Sequence, residues 1–136
     1  MKVLIIGGGG MLGHKLSQVF SSKFETLVTL RGNLSNYEKL EIFCEKNVYE
    51  NIDAENIESL EKIFREIKPD VLINAVGIIK QLPNSKNVVN TLKINSIFPH
   101  LLAEIAETNN ARLICISTDC VFSGKKGNYN EADIPD

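Results

Sequence analysis

The chain opens with Val3-Leu4-Ile5-Ile6, a β-branched apolar run that breaks into four consecutive glycines, Gly7 to Gly10. Apolar residues then recur at Leu12, Leu16, Val19 and Phe20, the stripe of an amphipathic helix ending near Ser21-Ser22. Glu25 to Leu30 reads as a second strand, stopped at Arg31-Gly32. Leu34, Tyr37, Leu40 and Cys44 fit a helix within residues 33–46 that Ser35 would cap, and Asn47 to Ile52 fits a short third strand. Ile57, Leu60, Ile63, Phe64 and Ile67 predict a helix ended by Pro69. Val71 to Ile79 is almost continuously apolar, the pattern of a strand buried on both faces. A further helix carries Ile94, Phe98, Leu101, Leu102 and Ile105, with Pro99 expected to kink or restart it and Asn109-Asn110 to end it. Arg112 to Ser117 is the fifth strand, and from Asp119 onward Gly124, Gly127, Asn128 and Pro135 mark a loop.

Strands that alternate with helices across short connections predict an α/β fold, a doubly wound parallel sheet of the Rossmann type. The expected strand order is 3-2-1-4-5, with residues 1–136 forming one domain and no internal repeat or linker visible. In such sheets the ligand lies beyond the carboxyl ends of the strands where the order reverses, here between strands 1 and 4. The glycine loop, Arg31, Asn74 to Gly77 and Ser117-Thr118 all fall at strand carboxyl ends and are expected to meet in one crevice.

Glycines between a strand and a helix suit a phosphate held by bare backbone N–H groups and the positive end of the helix dipole. Gly7, Gly10 and Gly13 satisfy G-x-x-G-x-x-G, while Gly8, Gly10 and Gly13 satisfy G-x-G-x-x-G, and spacing alone does not choose between them. The alternative is a tight strand-to-helix turn that binds nothing. At the end of the second strand, where a fold that prefers NAD places an acidic residue on the adenosine ribose, this chain has Arg31. A guanidinium there suits the 2′-phosphate of NADP; the plain alternative is a solvent-facing arginine in a turn. Asp53 fits either an acceptor for the adenine amino group or the N-cap of the following helix.

Composition narrows the partners. With 15 basic against 17 acidic residues and a net charge of −2, the chain carries no electrostatic footprint for nucleic acid or an acidic membrane surface. Its apolar segments are too short for a signal peptide or a bilayer span. Three cysteines without a C-x-x-C argue against a structural disulfide and for a reducing, cytoplasmic setting, with Cys115 expected in the core. His14 and His100 have no ligand partners at metal spacing, so no metal is expected.

Gly7-x-x-Gly10-x-x-Gly13, Asn74-Ala75-Val76-Gly77, Asn95, and Ser117-Thr118-Asp119-Cys120-Val121-Phe122-Ser123-Gly124, in that order, make the chain resemble an extended short-chain dehydrogenase/reductase. The last stretch is similar to that of the dTDP-4-dehydrorhamnose reductase branch, which acts on nucleotide-linked sugars. The resemblance covers the whole chain and implies a nicotinamide dinucleotide cofactor, with Arg31 favouring NADP(H) over NAD(H). The expected cofactor contacts are Gly7, Gly10, Met11, Leu12, Gly13, Arg31, Asp53, Asn74, Ala75, Val76, Gly77 and Asn95, the resemblance implying that Asn74 to Gly77 line the cofactor cleft and that Asn95 supports the active-site helix. Thr118 matches the family's catalytic hydroxyl, a donor suited to the negative charge that develops on a ketone oxygen during hydride addition. Without a cofactor the same threonine would be a capping residue.

The family also uses a tyrosine general acid with a lysine four residues on, because a phenol of pKa about 10 needs a nearby cation to pass a proton near neutral pH. Tyr37, Tyr49 and Tyr129 are followed at that spacing by Glu41, Asp53 and Asp133. In that branch the tyrosine lies further along than Asp136. The expectation is therefore the front part of a longer reductase, cut before its remaining strands and substrate lobe, that binds NADP(H) without turning over. Strand 5 would then form an unpaired apolar edge through which the chain would form a homodimer. An epimerase or dehydratase of the same superfamily, which uses the cofactor transiently, and a non-enzymatic dinucleotide-sensing module are the competing readings.

Overall fold

Residues 1–79 and 86–136 are described in a computed structural model. The first strand, β1 (Lys2–Ile6), buries Val3, Leu4, Ile5 and Ile6 alike because both faces of the sheet are covered around it, which is why its sequence shows no apolar–polar alternation. With β2 (Glu25–Thr29), β3 (Val48–Tyr49), β4 (Val71–Asn74) and β5 (Arg112–Cys115) it forms a five-stranded parallel sheet in the order β3-β2-β1-β4-β5. Ile5 lies opposite Val28 on one side and Ile73 on the other.

Alternate residues of these strands feed two cores. Leu4, Ile6 and Leu72 meet Leu60, Phe64 and Ile67 of α2 (Ile57–Ile67) and Phe98, Leu102 and Ile105 of α4 (Phe98–Thr108), numbered here after α1 (Met11–Phe20) and α3 (Val88–Leu92). Val3, Ile5, Val28 and Ile73 face the other way, against Leu16 and Phe20 of α1 together with Phe24 and Phe43. Phe64 and Phe98 are among the largest fully buried side chains, each contributing about 3 kcal/mol by burial alone.

Several element boundaries differ from the sequence reading, each for a local reason. Residues 33–46 hold a 3₁₀ helix, Leu34–Leu40, with Asn33 rather than Ser35 at its N-cap position. Its first amide is satisfied from elsewhere, Leu34 N donating to Glu50 Oε2 at 2.9 Å. Asn56, not Asp53, caps α2, its side chain accepting from Ser59 N at 3.2 Å. Asp53 is used three residues earlier in a turn, Oδ1 accepting from Glu55 N at 3.0 Å. The strand expected over Val71 to Ile79 stops at Asn74, whose Oδ1 accepts from Val76 N at 3.0 Å and turns the chain out of the sheet. The third strand is only Val48–Tyr49, and the fifth ends at Cys115 rather than Ser117.

Cys115 is exposed rather than in the core, as are Ile114 and Ile116. The cause is position in the sheet: β5 is the outermost strand and has a neighbour, β4, on one side only. Cys44 and Cys120 are also exposed free thiols. No helix of the described residues is long and apolar enough to cross a membrane.

Candidate functional site: a dinucleotide crevice

The order reversal falls between β1 and β4, and a crevice of about 150 Å³ opens beyond the carboxyl ends of the strands there. Ile6 and Gly7 at the end of β1, Thr29 and Arg31 at the end of β2, Ile52 to Glu55, and Val76 to Ile78 after β4 line it, with Asn90 and Ile94 closing one side. Of the positions expected to meet there, Gly7, Arg31, Val76 and Gly77 line the crevice, with Asp53 beside them, whereas Asn74, Ala75, Ser117 and Thr118 are not among its lining residues.

The glycine loop shows what the backbone requires at each position. Gly7 has φ +88°, and a Cβ there would lie 2.7 Å from the Val76 side chain. At Gly13 a Cβ would overlap the Gly7 carbonyl oxygen and lie 2.9 Å from Gly8 Cα, so α1 can lie this close to the loop only with glycine at that position. Gly10 is the exception, with nothing nearer to its Cβ position than Gly7 O at 3.5 Å. Gly8 is tight as well, its Cβ position 2.9 Å from Val28 Cβ, so both spacings have structural reasons: a turn at Gly7, close packing at Gly8 and Gly13, and an open approach at Gly10.

That open approach leads to the start of α1. Gly10 is its N-cap and provides no side-chain hydrogen bond, and the first turn carries no acidic residue. The N–H groups of Met11, Leu12 and Gly13 have no intrahelical acceptor at this end. The donor set and the space at Gly10 fit a dinucleotide pyrophosphate.

Thr29 shapes the glycine loop, a role that the pattern of the sequence hides. It is buried at the end of β2, its Oγ1 accepts from Gly7 N at 3.1 Å and its carbonyl accepts from Gly8 N at 2.8 Å. Two amides of the loop are thus occupied in holding its shape. In sequence Thr29 is one more β-branched strand residue, and nothing marks it out.

Arg31 is mostly exposed at the crevice mouth, its Nε 3.4 Å from Asp53 Oδ2. A surface pair of this kind contributes little to stability. On the far side, Asn95 clamps the segment after β4: its Oδ1 accepts from Ile78 N and its Nδ2 donates to Ile78 O, both at 2.8 Å. Asn74 and Ala75 underlie this segment, Ala75 N donating to Ile6 O at 3.0 Å. Thr118 is exposed and is not among the crevice-lining residues; its Oγ1 accepts from Cys120 N at 3.1 Å, the capping arrangement weighed for it.

The RmlD substrate binding domain family matches residues 1–136. A dTDP-4-dehydrorhamnose reductase of Aggregatibacter actinomycetemcomitans is 29% identical over 98% of this chain and 40% of its own length. Among solved structures, a hypothetical dTDP-4-dehydrorhamnose reductase from Sulfolobus tokodaii superposes with a TM-score of 0.77 at 30% identity, over 100% of this chain and 46% of that one. A dTDP-4-dehydrorhamnose reductase from Bacillus anthracis, solved in complex with NADP, has a TM-score of 0.63 at 25% identity, over 91% of this chain and 38% of that one. The chain thus spans less than half the length of these relatives. The match runs from end to end of the sequence, and the chain belongs to the RmlD substrate binding domain family.

Proposed function

We propose that the chain is the NADP(H)-binding part of an oxidoreductase that reduces a keto group on a nucleotide-linked sugar. The observation that carries this reading is the uncapped start of α1 behind the open face of Gly10, with Arg31 at the mouth of the same crevice. The free N–H groups at the start of α1 suit the pyrophosphate, and the guanidinium suits a 2′-phosphate. Dehydrorhamnose reductases recur among the relatives, one of them with NADP bound. NADPH, when bound, supplies the hydride. Thr118 is the proposed hydroxyl for the substrate oxygen, held in place by its contact with Cys120 N. None of the tyrosines has a lysine four residues on, so these 136 residues bind cofactor without turning it over.

The test is binding of NADPH and NADH to the purified protein by titration calorimetry, for wild type and Arg31→Asp. A charged hydrogen bond contributes about 1.5–3 kcal/mol, so a preference for NADPH of roughly tenfold to a hundredfold is expected in wild type and its loss in the variant. Equal losses for both cofactors refute the role of Arg31. Reduction of a nucleotide-linked keto sugar by these residues alone refutes the division of labour.

A further inference from the structure

Position 9, a free position in G-x-x-G-x-x-G, is also glycine in this chain, and the structure gives a reason. A Cβ on Gly9 would lie 2.9 Å from Cζ and 3.0 Å from Oη of Tyr37. The Tyr37 ring occupies the space that a side chain at position 9 would fill. Its hydroxyl reaches in the other direction as well, standing 3.9 Å from the Cβ position of Gly32, while Asn36 Nδ2 stands 2.9 Å from that same point. Two polar side chains therefore converge beside the residue that follows Arg31, and one of them also touches the dinucleotide loop.

The segment carrying them is fixed on several sides. Asn51 N donates to Gly32 O at 3.4 Å, Leu34 N donates to Glu50 Oε2 at 2.9 Å, and the Tyr37 ring packs edge-on against Phe43 at 6.3 Å between centroids. Among the described residues, neither the Tyr37 hydroxyl nor the Asn36 amide nitrogen donates a hydrogen bond. Two uncommitted donors on the fixed turn that follows Arg31, between two side-chain-free glycines, suit an oxyanion with several acceptor oxygens.

We propose that Asn36 and Tyr37 complete, with Arg31, the pocket for the phosphate that distinguishes NADP from NAD, and that Gly9 is glycine to admit Tyr37. This rests on the NADP reading above and assigns two specificity-determining residues to that site. Tyr37→Phe removes a single oxygen and leaves the ring on Gly9, and Asn36→Asp replaces an exposed donor with a negative charge. The readout is the ratio of affinities for adenosine 2′,5′-bisphosphate and AMP, ligands that differ only in the phosphate at issue, alongside NADPH and NADH. Tyr37→Phe is expected to lower that ratio by about tenfold, and Asn36→Asp by about a hundredfold, with AMP and NADH affinities within about twofold of wild type. An unchanged ratio in both variants, while Arg31→Ala lowers it, overturns the proposal and leaves the NADP reading standing. A wild-type protein with no preference for the 2′-phosphate overturns both. Equal losses for the two ligands show that Tyr37 and Asn36 only shape the loop, and also overturn it.

Discussion

Gly13→Ala sets two effects of opposite sign against each other. Alanine is the better helix former, and in α1 the exchange alone would stabilise by about 1 kcal/mol. Against this, the new Cβ would overlap Gly7 O and lie 2.8 Å from Gly7 C and 2.9 Å from Gly8 Cα. All three are backbone atoms, and Gly7 is itself fixed by its bond to Thr29 Oγ1. The only relief is to lift α1 away from the loop and off Val3, Ile5 and Val28, which it helps to cover. Overpacking of this kind destabilises by about 1–3 kcal/mol, and backbone neighbours place it near the upper figure. The net effect is a loss of about 2 kcal/mol. With an m-value of about 2 kcal/mol per molar, the urea midpoint should fall by about 1 M. A midpoint that is unchanged or raised would mean that propensity wins, and the close packing inferred at Gly13 would be wrong.

Gly10→Ala should separate fold from ligand: its Cβ finds nothing nearer than 3.5 Å, so the midpoint should move little while NADPH affinity falls at least about tenfold, and retained binding would refute the open-approach argument. Thr29→Val removes the acceptor of Gly7 N, and an unpaired amide there should lower stability by about 1–3 kcal/mol, with Thr29→Ser restoring most of it; equal midpoints for valine and wild type would refute the role of Thr29. In the loop after β5, hydrogen bonds from Ser123 Oγ and N hold the Asp136 carboxyl below its ordinary range. A lowered folded pKa means that this order is fully present above the ordinary carboxyl value, about 3.9, and is lost as pH falls through the lower folded value. A titration followed at the Ser123 amide should therefore have its midpoint below about 3.9, and a midpoint at or above that value would refute the arrangement.

Much of this architecture is legible in the sequence because it depends on patterns that physics makes periodic. The buried run of β1, the stripe of α2 and the stop at Pro69 fix elements whose order then fixes the sheet. Positions governed by single side-chain hydrogen bonds are not legible in this way. Asn74 ends β4 by bonding Val76 N, although the apolar run continues to Ile79. Glu50 supplies an acceptor to a helix start 16 residues earlier in the chain, leaving Ser35 without a capping role. Cys115 looks apolar and is exposed, since composition does not say which strand is outermost. Thr29 and Tyr37 matter for what they touch across the fold, and no local spacing encodes that contact.

Asn95 shows how a local break in a helix can serve the site. Pro99 has no N–H, so the α-helical bond that its position would donate to the carbonyl of Asn95 cannot form. The helix running from Val88 to Thr108 answers with a wider turn over Lys93–Ile97, where Phe98 N donates to Lys93 O, five residues back. Asn95 lies at the middle of that turn, and its side chain bonds both backbone groups of Ile78 at 2.8 Å. The segment after β4, which left the sheet at Asn74, thereby regains a partner for backbone that the sheet no longer supplies. Val76 and Gly77, which line the crevice, are carried between those two anchors. The proline that the sequence offers only as a helix breaker is thus coupled, through the carbonyl it leaves without an α-helical donor, to the residue that holds one wall of the crevice.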